Sequence, residues 1–436
     1  MYRIAGARRI LLALAGLLVG SVLTLAPARS GLEVAGQKVR GALPTMSDNV
    51  DLAGHLPFPG AIGARLRGDV MYVTGVAGLA TYDISVPARP LPLGFLPLPH
   101  FENEDVSIGG NTLVISADTA VGVDYYGIVD ISDPRLPRFR RTGATGADGH
   151  TASCVNPHPE PDPRNCRFAL LAGGRGLRVM DTHSGAIVGE PVATHVGGTH
   201  DVQFDSAGYA WVAGRGGTAA YDVSDPTRPR LVAKTDATGS RGPLNDFIHH
   251  NSFRPDVAPG KPGDVVLITE EDYLNVACGD AGLFQTWRIN GPLDPANPAV
   301  LTNLDTWDTS EGTLPEPQDS TEAAYFCSSH YFDVRGGIAS VAWYGNGTRL
   351  LDVSNPRDIR QVGWFVPPNS EVWAAYWAPK DDSVVFVVDF KRGIDVLRVR
   401  RGAPPGAGLP ARPAPPEGGP TSRPHPVYGW GCRLAA

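Results

Sequence analysis

Apolar residues in this chain gather in short runs, and no long segment repeats them at helical spacing. Val265-Val266-Leu267-Ile268 is one such run, bounded on both sides by polar or charged residues. Four runs end in nearly the same words: Tyr82-Asp83-Ile84-Ser85-Val86-Pro87, Val129-Asp130-Ile131-Ser132-Asp133-Pro134, Tyr221-Asp222-Val223-Ser224-Asp225-Pro226 and Leu351-Asp352-Val353-Ser354-Asn355-Pro356. A second short run follows each and finishes in Gly or a charged residue. The pattern predicts a strand, a tight turn and an antiparallel return strand. Asp and Ser cap such a turn with side-chain hydrogen bonds, and Pro presets its φ. Weaker copies at Met180-Asp181-Thr182, Trp287-Arg288-Ile289-Asn290 and Ile394-Asp395-Val396 bring the units to seven. An internal repeat of this kind decides the architecture before any single motif does.

The turn words resemble those of the LVIVD-repeat family of secreted β-propellers, over roughly residues 50 to 400. The resemblance implies a fold more than an activity: repeats of ~40–45 residues with four short strands each are propeller blades. The expected fold class is therefore all-β, a seven-bladed β-propeller. Its blades run over residues 61–98, 100–142, 150–193, 199–235, 249–305 and 330–366, with the last beginning near 372. That last blade offers only three strands before the chain turns to Pro, Gly and Ala after Arg400. Gly54-His55-Leu56-Pro57-Phe58-Pro59 matches Gly94-Phe95-Leu96-Pro97-Leu98-Pro99, the end of the first blade. Residues 50–56 are thus expected to supply the missing outer strand and close the ring, covering edges otherwise exposed. The 52 Gly and 40 Pro punctuate many short strands in the same sense. The expected divisions are 1–28 signal peptide, 29–49 linker, 50–400 propeller and 401–436 a Pro/Gly/Ala-rich disordered tail.

Charge and cysteine add a compartment. Arg3, Arg8 and Arg9 precede the apolar stretch Ile10 to Leu25, and Ala26-Pro27-Ala28 offers small residues to a signal peptidase. Cleavage and export, to the extracellular space or the cell envelope, is the expectation. The rival is an uncleaved membrane anchor, for which the apolar core is short. Loss of the three arginines takes the formal charge from −7 to −10. An acidic protein without a basic stripe argues against nucleic acid, and a monomer is expected. Export permits disulfides: Cys154 with Cys166 across one loop, and Cys278 with Cys327 between adjacent blades, leaving Cys432 in the tail.

The chemistry emerges when the innermost strands are aligned. Four residues before the landmarks Ile108-Gly109-Gly110, Phe204-Asp205, Phe253-Arg254-Pro255, Val334-Arg335-Gly336 and Trp377-Ala378-Pro379 stand Glu104, His200, His249, His330 and Trp373. The same step gives Thr151, with His150 beside it, and Ile62 in the first blade. An inner strand begins at the mouth of the central channel, so these side chains converge on one axis. Neutral imidazoles converging there suit a transition metal, copper or iron first and manganese or zinc after. His150, His200, His249 and His330 are the expected ligands. Glu104 and Glu271 are the expected catalytic carboxylates, with His250, Glu270, Asp272 and Glu371 around them. Asp118, Asp124, Arg215 and Asp389 are expected on the same rim. The competing reading is structural: in WD-type propellers a repeated His near this position bonds within its own blade.

His249-His250-Asn251-Ser252-Phe253-Arg254-Pro255, followed by Val265 to Glu271, is also similar to the selenium-binding protein and methanethiol oxidase family. Over about one blade, that resemblance implies a His-lined metal centre of the kind implicated in copper-dependent thiol oxidation. Nucleophile elbows, phosphate-binding Gly loops followed by Lys, and His-Glu-x-x-His helices are absent from the sequence. Two functions remain. One is an exported metal-dependent oxidoreductase acting on a small-molecule substrate. The other is a non-catalytic propeller binding an extracellular protein or glycan, with Trp343, Tyr344, Trp373, Tyr376 and Trp377 as aromatic anchors.

Overall fold

The structure is a computed structural model that describes residues 45–98, 104, 106–117, 125–144, 149–155, 166–173, 176–192, 194–235, 248–271, 282–309 and 328–402. Among the described residues there is no α-helix. The strands are short because a turn residue interrupts each apolar run before it can extend. Ala61–Arg67, Val70–Gly75, Gly78–Asp83 and Leu91–Pro97 form one antiparallel sheet in chain order. Two more follow the same plan, from Ser107–Gly109 to Arg138–Gly143 and from Thr151–Cys154 to Ala186–Val192. The strands from Thr199–Phe204 to Arg230–Thr235 and those from Ile248–Phe253 to Ala299–Trp307 make two antiparallel sets. Their outer strands join in parallel, with Ala233 opposite Ala299. The strands from Phe332–Arg335 to Arg360–Val366 carry Thr45–Met46 on their outer edge. Finally Val372–Ala378, Asp381–Asp389 and Gly393–Val399 take Val50–Pro57 as a fourth strand, in register from Val50 opposite Val399 to Pro57 opposite Gly393.

The repeated turn works through its acid. In all four strong copies the Asp carboxylate accepts the backbone N–H two residues on: Ser85 on Asp83 at 2.8 Å, Ser132 on Asp130 at 3.0 Å, Ser224 on Asp222 at 2.9 Å and Ser354 on Asp352 at 2.9 Å. The weak copy at Asp181 does the same for His183 at 2.8 Å. This local bond competes with continuation of the strand and turns the chain back.

Between sheets the core is a series of apolar clusters, each shared by two neighbours. Tyr72 and Leu79 pack with Leu113 and Val129. Val114 and Ile128 pack with Ala169 and Met180, and Leu170 and Val179 pack with Val212 and Ala219. Trp211 and Val232 meet Val266 and Trp287. Leu267 and Phe284 meet Val341 and Leu351, and Leu350 and Phe365 meet Val385 and Leu397. One further cluster joins Met71 and Val73 of the first complete sheet to Phe386 and Val396 of the last. Burying each large side chain contributes about 1.5–3 kcal/mol, so these faces hold the sheets against one another. Cys154 and Cys166 form a disulfide with their Cα atoms 4.9 Å apart. Cys278, Cys327 and Cys432 lie outside the described residues.

Candidate metal centre

The first strand of several sheets carries an extra residue near its start. The register slips between Ala61 and Gly63, Thr199 and Asp201, His249 and Asn251, and Val372 and Ala374. A β-bulge leaves one residue unpaired and re-aims its side chain. The residues so released are Ile62, His200, His250 and Trp373. His150 and His330 stand at the corresponding place, just ahead of their strands. Their backbone N–H groups bond Ala172 at 2.7 Å and Ala342 at 3.0 Å.

Four imidazoles from four sets of strands thereby address one oxygen. Glu104 Oε2 lies 3.2 Å from His250 Nε2, 3.4 Å from His150 Nε2, 3.7 Å from His330 Nε2 and 4.0 Å from His200 Nε2. Their rings run side by side, with centroids 4.2 Å apart from His150 to His200, 4.2 Å from His200 to His250 and 3.8 Å from His250 to His330. Glu271 closes the group: its Oε2 is 3.7 Å from His200 Nε2 and its Oε1 is 3.7 Å from His330 Nε2. The Tyr344 hydroxyl donates to that same Oε1.

The outer ring nitrogens fix the tautomers. His200 Nδ1 faces the carbonyl of His250 at 3.3 Å, and His330 Nδ1 faces the carbonyl of Trp373 at 2.6 Å. A carbonyl only accepts, so each Nδ1 donates and each Nε2 turns a lone pair toward the cluster, the arrangement a metal ligand needs. One residue further along, Asp201 accepts from Asn251 Nδ2 at 2.7 Å and from Gln203 Nε2 at 3.1 Å, and Tyr331 Oη stands 3.5 Å from it. The Tyr331 ring packs 4.6 Å from that of His250. A second polar layer thus supports the imidazoles.

Burial sets the charge states. It drives His200 and His330 well below the usual imidazole range, and the neighbouring imidazoles push the same way. His250 is lowered by burial too, against the opposing pull of Glu104. For Glu104 burial alone would raise the carboxyl. The imidazoles of His150 and His330, with hydrogen bonds from His150 and His250, reverse this and hold it well below the ordinary carboxylate value. Burial, then Glu271 and Glu104, raises Tyr344 well above 10, so its phenol stays a donor. Neutral imidazoles around an ionised carboxylate are the protonation states a cation binds. Glu104, His200 and His250 present donor atoms within 4.8 Å of one another, as do His250, Glu271 and His330. The buried Nε2 of His330 has no hydrogen bond and points into this group. The donor set therefore fits a transition metal.

Of the expected ligands, His150, His200 and His330 come together and His249 does not. The bulge sends His249 into the sheet, where Nδ1 meets Thr218 Oγ1 at 2.9 Å, Thr218 meets Ser252 at 2.6 Å, and the ring lies edge-on to Trp287 at 5.9 Å. Burial takes its pKa down to about 3. His250 takes the place expected of His249. Phe253 lies opposite Leu267, the third residue of its partner strand, whereas Phe204 lies opposite Ala210, the second, so counting back four from Phe253 overshoots by one; aligning the second strands would have shown it. Residues 209–214 and 265–270 correspond one to one, Gly214 lies opposite Thr199 and Glu270 opposite His249, and His250 then falls on His200.

The expected surrounding residues divide as well. Glu270 is buried within its own sheet, bonded by Gln285 Nε2 and by the Leu283 N–H at 3.3 Å. Glu371 accepts from Trp373 Nε1 at 3.2 Å and pairs with Lys391 at 3.3 Å. Asp389 is buried and caps the turn at Lys391, while Arg215 is exposed. Asp272, Asp118 and Asp124 lie outside the described residues. Trp343, Tyr344, Trp373 and Trp377 are buried, so they pack the interior instead of presenting aromatic anchors at a rim. Sequence reading placed Tyr344 on that rim and missed it as the partner of Glu271.

Residues 197–237 match the sequence profile of the LVIVD repeat. No curated protein matches the chain in sequence. Among solved structures, the β-propeller domain of Myceliophteria thermophila Cps50 (Swd1) aligns with a TM-score of 0.56 at 13% identity, covering 80% of this chain and all (100%) of that one. The WD40 repeats of RRP9 align at 0.53 with 10% identity, over 83% of this chain and 100% of theirs. U3-55K aligns at 0.53 with 10% identity, over 81% and 98%. At such identities the likeness is one of fold.

Proposed function

We propose that this β-propeller, with an LVIVD repeat at residues 197–237, is an exported metal-dependent oxidoreductase acting on a small molecule at the mouth of its channel. The observation that carries this reading is the convergence of four imidazole Nε2 atoms, from four sets of strands, within 4.0 Å of Glu104 Oε2. In the same reading the sheets are seven blades, and the pairing of Val50–Pro57 with Gly393–Val399 closes the ring. Export rests on the arginines and apolar core of residues 1–28, and the Cys154–Cys166 disulfide suits an oxidising compartment.

His150, His200, His250 and His330 would hold the ion, with Glu104 and Glu271 completing its shell. Imidazole with carboxylate favours copper or iron, then manganese or zinc, and a redox-active ion supplies electron transfer to or from a bound substrate. The chain's own part is to keep His200, His250 and His330 neutral by burial, to fix two of them through carbonyls, and to place two carboxylates beside them. A carboxylate there accepts or returns a substrate proton. Water is largely shut out, since the side chains of His250 and His330 are fully buried and Glu104 is 4% exposed.

Elemental analysis of the mature protein, beside a His200→Ala/His250→Ala variant, tests the proposal. About one equivalent of a first-row metal in the native protein, lost in a variant that still folds, is the expected result. No metal in either would overturn it and leave a propeller that binds a partner without chemistry.

A further inference from the structure

Tyr344 is an unusual residue in an unusual conformation. Its φ is +32°, a left-handed value that a bulky side chain rarely adopts. Neighbouring structure imposes it. Trp343 N–H bonds Gly347 O at 2.8 Å and Gly347 N–H bonds Tyr344 O at 3.1 Å, closing a tight turn after Ile338–Ala342. Val372 N–H, from the next sheet, bonds Tyr344 O at 3.0 Å. The ring is then wedged 4.7 Å from His330 and 6.0 Å from Trp373, with Ile62 and Phe390 in the same apolar cluster. Its hydroxyl reaches Glu271 Oε1 from a side chain only 5% exposed.

An apolar cluster would be satisfied by Phe, and a tight turn by Gly. A strained, buried Tyr whose one polar atom meets a carboxylate of the cluster satisfies neither need better than those residues do. Strain kept at a site over-determined by its surroundings points to a role there. We propose that Tyr344 is the positioning residue for Glu271: by donating to Oε1 it fixes the carboxylate so that Oε2 faces His200, 3.7 Å away. Partners of this kind tune a metal through the ligand they orient, and their loss costs roughly 10–100-fold in affinity. The inference rests on the metal-binding reading and goes beyond it by giving one residue outside the donor set a measurable share of the affinity.

The test is a chelator-competition titration of metal-stripped full-length protein with copper(II) and, separately, zinc. Wild type, Tyr344→Phe, Glu271→Gln and the double variant are compared, with thermal transitions recorded for each. Tyr344→Phe keeps the ring, the packing and the backbone strain and removes only the hydroxyl. The expected result is affinity lowered roughly 10–100-fold in Tyr344→Phe in a protein that still unfolds in one cooperative transition, and no further loss when Tyr344→Phe is added to Glu271→Gln. Unchanged affinity in Tyr344→Phe, or an equal loss in both backgrounds, would overturn the positioning role while leaving the metal site standing. Wild type that binds neither ion would overturn both.

Discussion

His249 and His250 are adjacent in sequence and opposite in role. His249 is bonded to Thr218 in the interior of its sheet, whereas His250 stands 3.2 Å from Glu104. His250→Ala is expected to abolish metal binding, with a loss of stability of its own because Glu104 loses a buried partner. His249→Ala should leave metal bound but lower stability by about 1–3 kcal/mol, because the Thr218 hydroxyl loses its buried partner; metal content and denaturation midpoints of the two variants check this. Composition and spacing predicted histidines at strand starts, but which of two neighbours faces inward depends on a bulge, and no apolar alternation marks one here. A second expectation at this scale concerns Asp389. Burial raises its carboxyl to about 7, against backbone hydrogen bonds from residues 371, 391 and 392. The folded protein therefore keeps a proton that the unfolded chain releases near 4. This contribution is complete below about 4 and is lost as pH rises through 7. Asp389→Asn should remove that component, so the gap between variant and wild-type midpoints shifts in the variant's favour from pH 5 to pH 8.

Among the elements, the repeated Asp-capped turn was the most legible because its cause is local: one carboxylate and one N–H two residues away. The bulges were the least legible, since their cause lies in the partner strand. The outer strand Val50–Pro57 falls between. Its likeness to residues 94–99 is readable, but its partner lies more than three hundred residues away, and pairing at that distance leaves no local trace. Gly393 tests how closely it fits. Its φ is +112°, and a Cβ there would stand 2.4 Å from both Leu56 O and Phe58 N. Gly393→Ala is expected to cost about 1–3 kcal/mol and to loosen this strand selectively, read as faster amide exchange across residues 50–57 than across 61–67.

For the molecule as a whole, the clusters shared between sheets make stability collective. Removal of residues 1–57 would expose the edge of Gly393–Val399 and take away Leu56, which packs on the cluster joining the first complete sheet to the last. The truncated protein is expected to aggregate through that bare edge, measured as concentration-dependent light scattering that wild type lacks. A bound metal would add to collective stability, by about 2.7 kcal/mol at a hundredfold excess over Kd; a chelator should lower the thermal transition of wild type and leave that of His200→Ala/His250→Ala unmoved. The four imidazoles arrive from four sets of strands, one apiece. The site thus has no contiguous word in the sequence. The imidazoles lie fifty or more residues apart, each within or just ahead of the first strand of its own set. A change at any one of these positions would therefore alter the proposed site while leaving the capped turns and the shared apolar clusters as they are.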